Sequence, residues 1–324
     1  MIRATAPSRL HFGLLHVPAV GEPPGLRHFG GLGLMIRQPG VALTVEVADA
    51  WSATGPSDDR ALSAARRAVE QLPSDRRRCL KIAVESCPPE HVGLGVGTQL
   101  AMAATDAACR LLTGTRHPPD ELAKLSGRGE RSRIGVEGYS RGGLLLDGGQ
   151  NPARPGASTI LHRGHFPDAW RVLLLRPRTA ERWHGDRERL AFARPRDPET
   201  NLRTTERLCR LALLGILPAL HEVDLPVFGE ALHEFNRTAG EAFAPDQGGP
   251  YCCTTVTALI GWLRSEGIPG AGQSSWGPTV FAVVESQLEA ESLLKRASAA
   301  GWEYESTVIA EGYSPQSESD HAHQ

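Results

Sequence analysis

Three glycine-rich runs hold the residue types that could do chemistry. The first is Pro88-Pro89-Glu90-His91-Val92-Gly93-Leu94-Gly95-Val96-Gly97-Thr98-Gln99. Glycines at alternate positions bring a backbone close to an anion, and a helix opening near Thr98 would offer that anion unpaired N–H groups and the positive end of its dipole. Gly93, Gly95, Gly97, Thr98 and Gln99 are therefore candidate phosphate-binding residues. The run is not a Walker A loop, because no Gly-Lys-Ser/Thr follows, and not a dinucleotide fingerprint, because position 98 is Thr instead of Gly. The same spacing also suits a flexible strand-to-helix turn.

The second run, Gly127-Arg128-Gly129-Glu130-Arg131-Ser132-Arg133-Ile134-Gly135, sets three guanidinium groups on a backbone with little side-chain bulk. That suits bidentate clamping of phosphate or carboxylate, and equally a solvated charge run. The third, Gly270-Ala271-Gly272-Gln273-Ser274-Ser275-Trp276-Gly277-Pro278, gathers an amide, two hydroxyls and an indole just before a strand. It reads as the polar lining of a small-molecule pocket or as a tight turn over a packed Trp. Ser8-Arg9-Leu10-His11-Phe12-Gly13 and Arg27-His28-Phe29-Gly30-Gly31-Leu32-Gly33 complete the candidates.

The elements that must position these runs follow from periodicity. Leu43, Val45 and Val47 alternate with Thr44 and Glu46, which predicts a half-buried strand over Val41 to Val47, and Leu80 to Val84 predicts a second. Ala104, Ala107, Ala108 and Leu111 predict a helix over Thr98 to Thr113, stopped by Gly114. Ser140 to Gly156 reads as strand and turns around Leu144-Leu145-Leu146. Val172 to Leu175 reads as a buried strand, the Arg- and Pro-rich Arg176 to Pro198 as a long surface connection, and Thr200 to Leu217 as a helix. A helix around Val256 to Leu263, a strand over Thr279 to Val284, a helix around Ala290 to Ala297 and a strand over Glu303 to Ile309 suit a small α+β layer.

Composition bounds the reading. At 324 residues, 40% hydrophobic and 22% charged, the chain is an ordinary globular protein of about two domains, not a disordered, collagen-like or coiled-coil one. A net charge of −2 gives no global field for nucleic acid or an anionic membrane. Lys81, Lys124 and Lys295 are the only lysines. The six cysteines form no C-x-x-C pair and read as reduced thiols, and no leader or spanning segment is evident, so a soluble cytoplasmic protein is expected. The tail from 314 to 324 is polar and expected to be disordered.

The order APSRLHFGLLH, FGGLGLMI, GLGVGTQLAMA, GRGERSRIG, GGLLLDGG, DQGGPY and GAGQSSWGPT, spanning residues 2 to about 285, resembles the β-ribofuranosylaminobenzene 5′-phosphate synthase branch of the GHMP kinase superfamily. The resemblance implies an α/β (α+β) GHMP kinase-like fold of two domains. These are an N-terminal phosphate-binding domain over residues 1–165 and a ferredoxin-like α+β domain over 166–313. It implies a decarboxylating C-glycosyltransferase that joins phosphoribosyl pyrophosphate to an aromatic carboxylate, 4-aminobenzoate or 4-hydroxybenzoate, with Mg²⁺ as cofactor and a homodimeric assembly. Within it the first run grips the diphosphate, Arg131 and Ser132 hold the 5′-phosphate or the diphosphate, and Arg9, His11, Gln273 and Ser274 clamp the carboxylate. Asp106, Glu130 and Asp147 are the candidate acids for Mg²⁺, with no choice among them, because the cation comes in largely with the substrate phosphates.

Two departures stand out. GHMP kinases often carry Ser-Gly-x-Asp where this chain has Ser132-Arg133-Ile134-Gly135, so the acidic position is a glycine, and Arg133 stands where the synthase branch usually has glycine. Loss of the acid weighs against a small-molecule kinase, the first rival reading. A non-catalytic ligand-binding regulator on the same fold is the second.

Overall fold

The computed structural model describes residues 1–22, 25–129, 132–178 and 185–314, without the side chains of 155–157. Strand β1 (Ile2–Gly13) runs antiparallel to the long β2 (Gly31–Ala48), pairing Ile2 with Val45 and Leu10 with Leu34. The opposite edge of β2 is shared. Its first half pairs with β5 (Leu144–Asn151) and its second with β4 (Cys79–Ser86), while β3 (Ser52–Thr54) lies parallel to β4 and β6 (Arg154–Gly164) closes the far side. The predicted strand over 41–47 is thus one half of an 18-residue strand.

One face of this sheet carries α1 (Asp58–Glu70), α2 (Val96–Thr113), α3 (Pro119–Ser126) and α4 (Ile134–Arg141). Helix α2 is buried along nearly its whole first three turns, and its alanines 101, 103, 104, 107 and 108 let it lie close between α1 and Val41, Leu43 and Val45 of the sheet. Its Gly114 cap adopts φ 75°, where glycine carries no Cβ penalty.

The second sheet has the order β10-β7-β9-β8, all antiparallel, from β7 (Arg171–Pro177), β8 (Gly270–Gln273), β9 (Val280–Val284) and β10 (Tyr304–Ala310). With a helical crossover after β7 and α11 (Gln287–Ala299) after β9, this is the ferredoxin-like arrangement. The crossover holds α5 (Asp186–Ala193), α6 (Pro198–Leu211), α7 (Leu217–Glu222), α8 (Leu225–Glu241), α9 (Ala244–Gln247) and α10 (Thr254–Ser265). Two expectations are corrected here. Asp186–Ala193 is helical within a segment whose composition predicts a surface connection, and Gly270–Gln273 is a strand where the glycines predict a loop. One apolar core joins both sheets: Leu10 and Phe12 of β1 meet Phe281 of β9 and Phe228 and Phe235 of α8, with the Phe12 and Phe281 ring centroids 5.0 Å apart.

Asp147, one of three acids considered for Mg²⁺, is a structural node. It is fully buried, and its carboxylate accepts from the N–H groups of Arg133 (2.8 Å) and Gly149 (2.9 Å) and from the Ser158 hydroxyl. Arg133 has φ −89° and ψ −7°, which any residue adopts, and its side chain pairs with Asp120 and Glu137, so its replacement of glycine leaves the backbone path intact. Asp147→Ala strands three donors at once and is expected to lower the unfolding free energy by about 3 kcal/mol in urea titration; a loss under about 1 kcal/mol contradicts the assigned role.

Candidate active site

The chain paths converge on a cavity of about 440 Å³ between the two sheets. Its floor is the junction of β1 with the first glycine run, where the Arg9 N–H donates to the Leu94 carbonyl (3.0 Å). Gly93 and Gly95 hold φ 85° and 65°, the left-handed region glycine enters freely, and an added Cβ at Gly93 would stand 2.3 Å from the Ser274 carbonyl oxygen. Gly95 caps α2 and brings no side chain to bond the first-turn N–H groups, while Val96, Gly97 and Thr98 line the cavity. Gly127, Arg128, Gly129 and Ser132 form a second wall, and Arg60 of α1 joins it.

Arg9 is half-buried against this loop with its Nε inside, and a Cβ on Gly95 would lie 3.1 Å from that Nε. Burial lowers its pKa to about 10, partly opposed by Glu188, so it remains a cation at neutral pH. Its Nε is buried without a hydrogen-bond partner. His11 also lines the cavity, but burial, reinforced by the Arg9 charge, lowers its pKa to about 3 and keeps the ring neutral. As a neutral imidazole it adds no charge to a carboxylate clamp.

Three expected site residues are committed elsewhere. The fully buried Ser274 hydroxyl donates to the Gly93 carbonyl (2.6 Å) and accepts from the His11 N–H (3.1 Å), outside the cavity lining. Gln273 lines the wall, yet its amide donates to the Ser275 carbonyl (2.9 Å) and accepts from the Cys252 N–H (2.8 Å). Gln99 lies behind the loop, donating to the Gly135 carbonyl (2.7 Å) and tying α2 to α4. Asp106 faces Arg110 and Tyr139 away from the cavity. Arg131 and Glu130 lie outside the described residues.

Sequence reasoning missed much of the opposite wall. Phe192, Phe243 and Trp276 form an edge-to-face trio, with ring centroids 4.6 to 5.8 Å apart, and Glu188, Asn236, Gln247 and Tyr251 stand beside them. Gln247 and Tyr251 lie in the run DQGGPY and Trp276 in the third glycine run, whereas Arg60 and Glu188 carry no local signal. Among the described residues the lining carboxylates are Glu90, 3.1 Å from the Arg60 Nε, and Glu188. Among the described residues no group of three His, Cys, Asp or Glu side chains is arranged to hold a metal. That donor set fits a cation carried mainly by substrate phosphate and water, with Glu90 or Glu188 beside it, and does not fit an all-protein cage.

Comparisons with known proteins bear on the family and the fold. The model of the GHMP kinases N terminal domain matches residues 59–143, and that of the GHMP kinases C terminal matches residues 216–301. A beta-ribofuranosylphenol 5'-phosphate synthase of Methanothermobacter thermautotrophicus is 30% identical over 305 residues, covering 87% of this chain and 88% of that one. A protein of the same name from Archaeoglobus fulgidus is 30% identical over 302 residues, covering 88% of each. Among solved structures, the mevalonate kinase of L. major superposes with a TM-score of 0.69 at 14% identity over 97% of both chains. The homoserine kinase of Cytophaga hutchinsonii does so at 0.66 and 15%, over 96% and 94%. These last two are likenesses of fold.

Two outcomes follow. Gly93→Ala is expected to cost about 2 kcal/mol or more of stability, because its Cβ meets backbone at a positive φ. Gly97→Ala meets only the movable end of Arg60, at 2.8 Å, and should stay within about 1 kcal/mol of wild type; equal losses would contradict the loop geometry. For His11, the unfolded ring protonates near 6.5 and the folded one near 3. The unfolded state therefore binds the extra proton, and this site's stability is intact above about 6.5 and lost as the pH falls toward 3. His11→Gln should show a shallower acid decline in unfolding free energy, by up to about 1.4 kcal/mol per pH unit.

Proposed function

The chain belongs to the GHMP kinase family, in the branch of the β-ribofuranosylphenol 5′-phosphate synthases, and from that premise we propose that it is a decarboxylating C-glycosyltransferase of tetrahydromethanopterin biosynthesis. It joins phosphoribosyl pyrophosphate to 4-hydroxybenzoate or 4-aminobenzoate and releases CO₂ and diphosphate. The observation that carries this reading is Arg9, a half-buried cation with a buried, unpartnered Nε, set against the side-chain-free head of α2 in one cavity.

Departure of diphosphate leaves positive charge on the sugar and builds negative charge on the leaving oxygens. Fixed donors lower that barrier most, and here they are the first-turn N–H groups of α2, its dipole, the Thr98 hydroxyl and the guanidinium groups of Arg60 and Arg128. Ser132 stands on the same wall for a phosphate oxygen. Mg²⁺ is expected with the diphosphate, beside Glu90 or Glu188, where it would neutralise developing charge on the leaving group. Arg9 takes the carboxylate of the aromatic acid, with its charge sharpened by burial. The apolar wall keeps water from the ribosyl cation.

A phosphoryl-transfer reading meets an obstacle at Gly135. A Cβ there would lie 3.3 Å from Thr98 Cγ2 and 3.7 Å from Arg9 Cδ, so a side chain at this position would enter the site, and the chain supplies none. The synthase reading also carries a homodimer, for which the exposed Leu213, Leu214, Val223 and Val227 offer an apolar face, and a cytoplasmic setting, which suits six free thiols.

Incubation with phosphoribosyl pyrophosphate, Mg²⁺ and ring-carboxyl-labelled 4-hydroxybenzoate or 4-aminobenzoate is expected to release one labelled CO₂ per diphosphate. Release of diphosphate with the label retained would exclude the reaction. Arg9→Ala is expected to lower kcat/KM about 100-fold, the effect of one lost positioning contact; unchanged turnover would remove Arg9 from the site.

A further inference from the structure

Resting on the synthase reading, we propose that the acceptor ring lies against Phe192, Phe243 and Trp276, and that Gln247 recognises the hydrogen-bond donor para to its carboxylate. The aromatic trio lines the cavity and is joined to the diphosphate loop, since Gly93 packs on the carbonyl groups of Ser274 and Gly277 at either end of the Trp276 turn. A phosphorylated sugar has no flat apolar face to offer this wall. An aromatic acid does, and edge-to-face packing is the arrangement such rings favour.

Among the described residues three side-chain amides line the cavity: Asn236, Gln247 and Gln273. Asn236 donates to the carbonyls of Phe12 (2.6 Å) and Gln273 (2.8 Å) and accepts from the Gln273 N–H (2.8 Å). Gln273 is held at both ends by Cys252 and Ser275. Gln247, at the end of α9 and four residues beyond Phe243, differs: its Oε1 is buried without a hydrogen-bond partner. A buried carbonyl oxygen left unpaired is costly, and a bound O–H or N–H group would satisfy it.

The chemistry gives that contact a purpose. The ring carbon bearing the carboxylate bonds to the anomeric carbon as the C–O bond to diphosphate breaks with its electron pair. The ring–carboxylate bond then breaks, its pair restores the aromatic ring, and CO₂ leaves with no net proton transfer. Electron density at that ring carbon comes from the para oxygen or nitrogen, and a carbonyl accepting its hydrogen strengthens the donation. An amide oxygen accepts from hydroxyl and amine alike, so this residue selects a para donor without choosing between the two acids.

Calorimetric binding of 4-hydroxybenzoate and of benzoate, each with saturating diphosphate and Mg²⁺, tests the assignment. Wild type is expected to bind 4-hydroxybenzoate about 10-fold more tightly than benzoate, and Gln247→Met to reduce that preference to about 2-fold, with diphosphate affinity unchanged. Gln247→Leu, read on the same scale, replaces it should Gln247→Met lose diphosphate binding. A 10-fold preference kept in the variant, or none in wild type, overturns the role of Gln247 and leaves the synthase reading standing. Binding of neither acid by wild type overturns both.

Discussion

The site depends on one buried hydroxyl. Ser274 donates to Gly93 and accepts from His11, while the Ser275 N–H returns to the His11 carbonyl at 2.8 Å. Three segments far apart in sequence, the end of β1, the glycine run and the turn after β8, are thereby held at one point in the core. Arg9 and the head of α2 face the cavity together because of it. Gly93 is required at the same junction, since the Ser274 and Gly277 carbonyls occupy the space a Cβ would take.

From this junction the two walls divide the labour. On the β1 side the cavity is polar and cationic, with uncapped N–H groups and arginines suited to phosphate oxygens. On the side of α8 and the turn around 276 it is aromatic, suited to a flat acid and hostile to water. Position 135, where the resemblance to the GHMP kinases places an acid, is a glycine, and on the proposed reading the kinase-like frame serves a leaving group instead of activating a hydroxyl. The scaffold is shared with mevalonate and homoserine kinases; the difference lies in which side chains reach the cavity.

Legibility in the sequence followed how locally each feature is determined. The glycine run and α2 were readable because alternate glycines and an alanine-rich 3.6 period are local signals, and the helix begins at Val96, two residues before the expected start. Half of β2 was not, since glycines and a proline between 31 and 40 break its alternation and its ladder is supplied by β1 and β5. Strand β8, Gly-Ala-Gly-Gln, has no strand propensity; Gly272 is there because a Cβ would stand 2.3 Å from Asn236 Oδ1 on α8. Gln99 reads as ligand-facing from its place in the glycine run, and Gln273 and Ser274 from their polar run and the family resemblance. Whether a polar group binds a ligand or the backbone is decided by partners that the linear sequence does not contain. Glu188 and Phe192 were hidden for a related reason: α5 has almost no apolar periodicity, and one buried residue, Ala191, anchors it.

A crystal structure of the protein with diphosphate, Mg²⁺ and 4-hydroxybenzoate tests the central claim most directly. The account places the diphosphate oxygens within hydrogen-bond distance of the Val96 and Gly97 N–H groups and the benzoate carboxylate on Arg9, its ring against Trp276. Diphosphate bound elsewhere, or a benzoate whose carboxylate points away from Arg9, would contradict it.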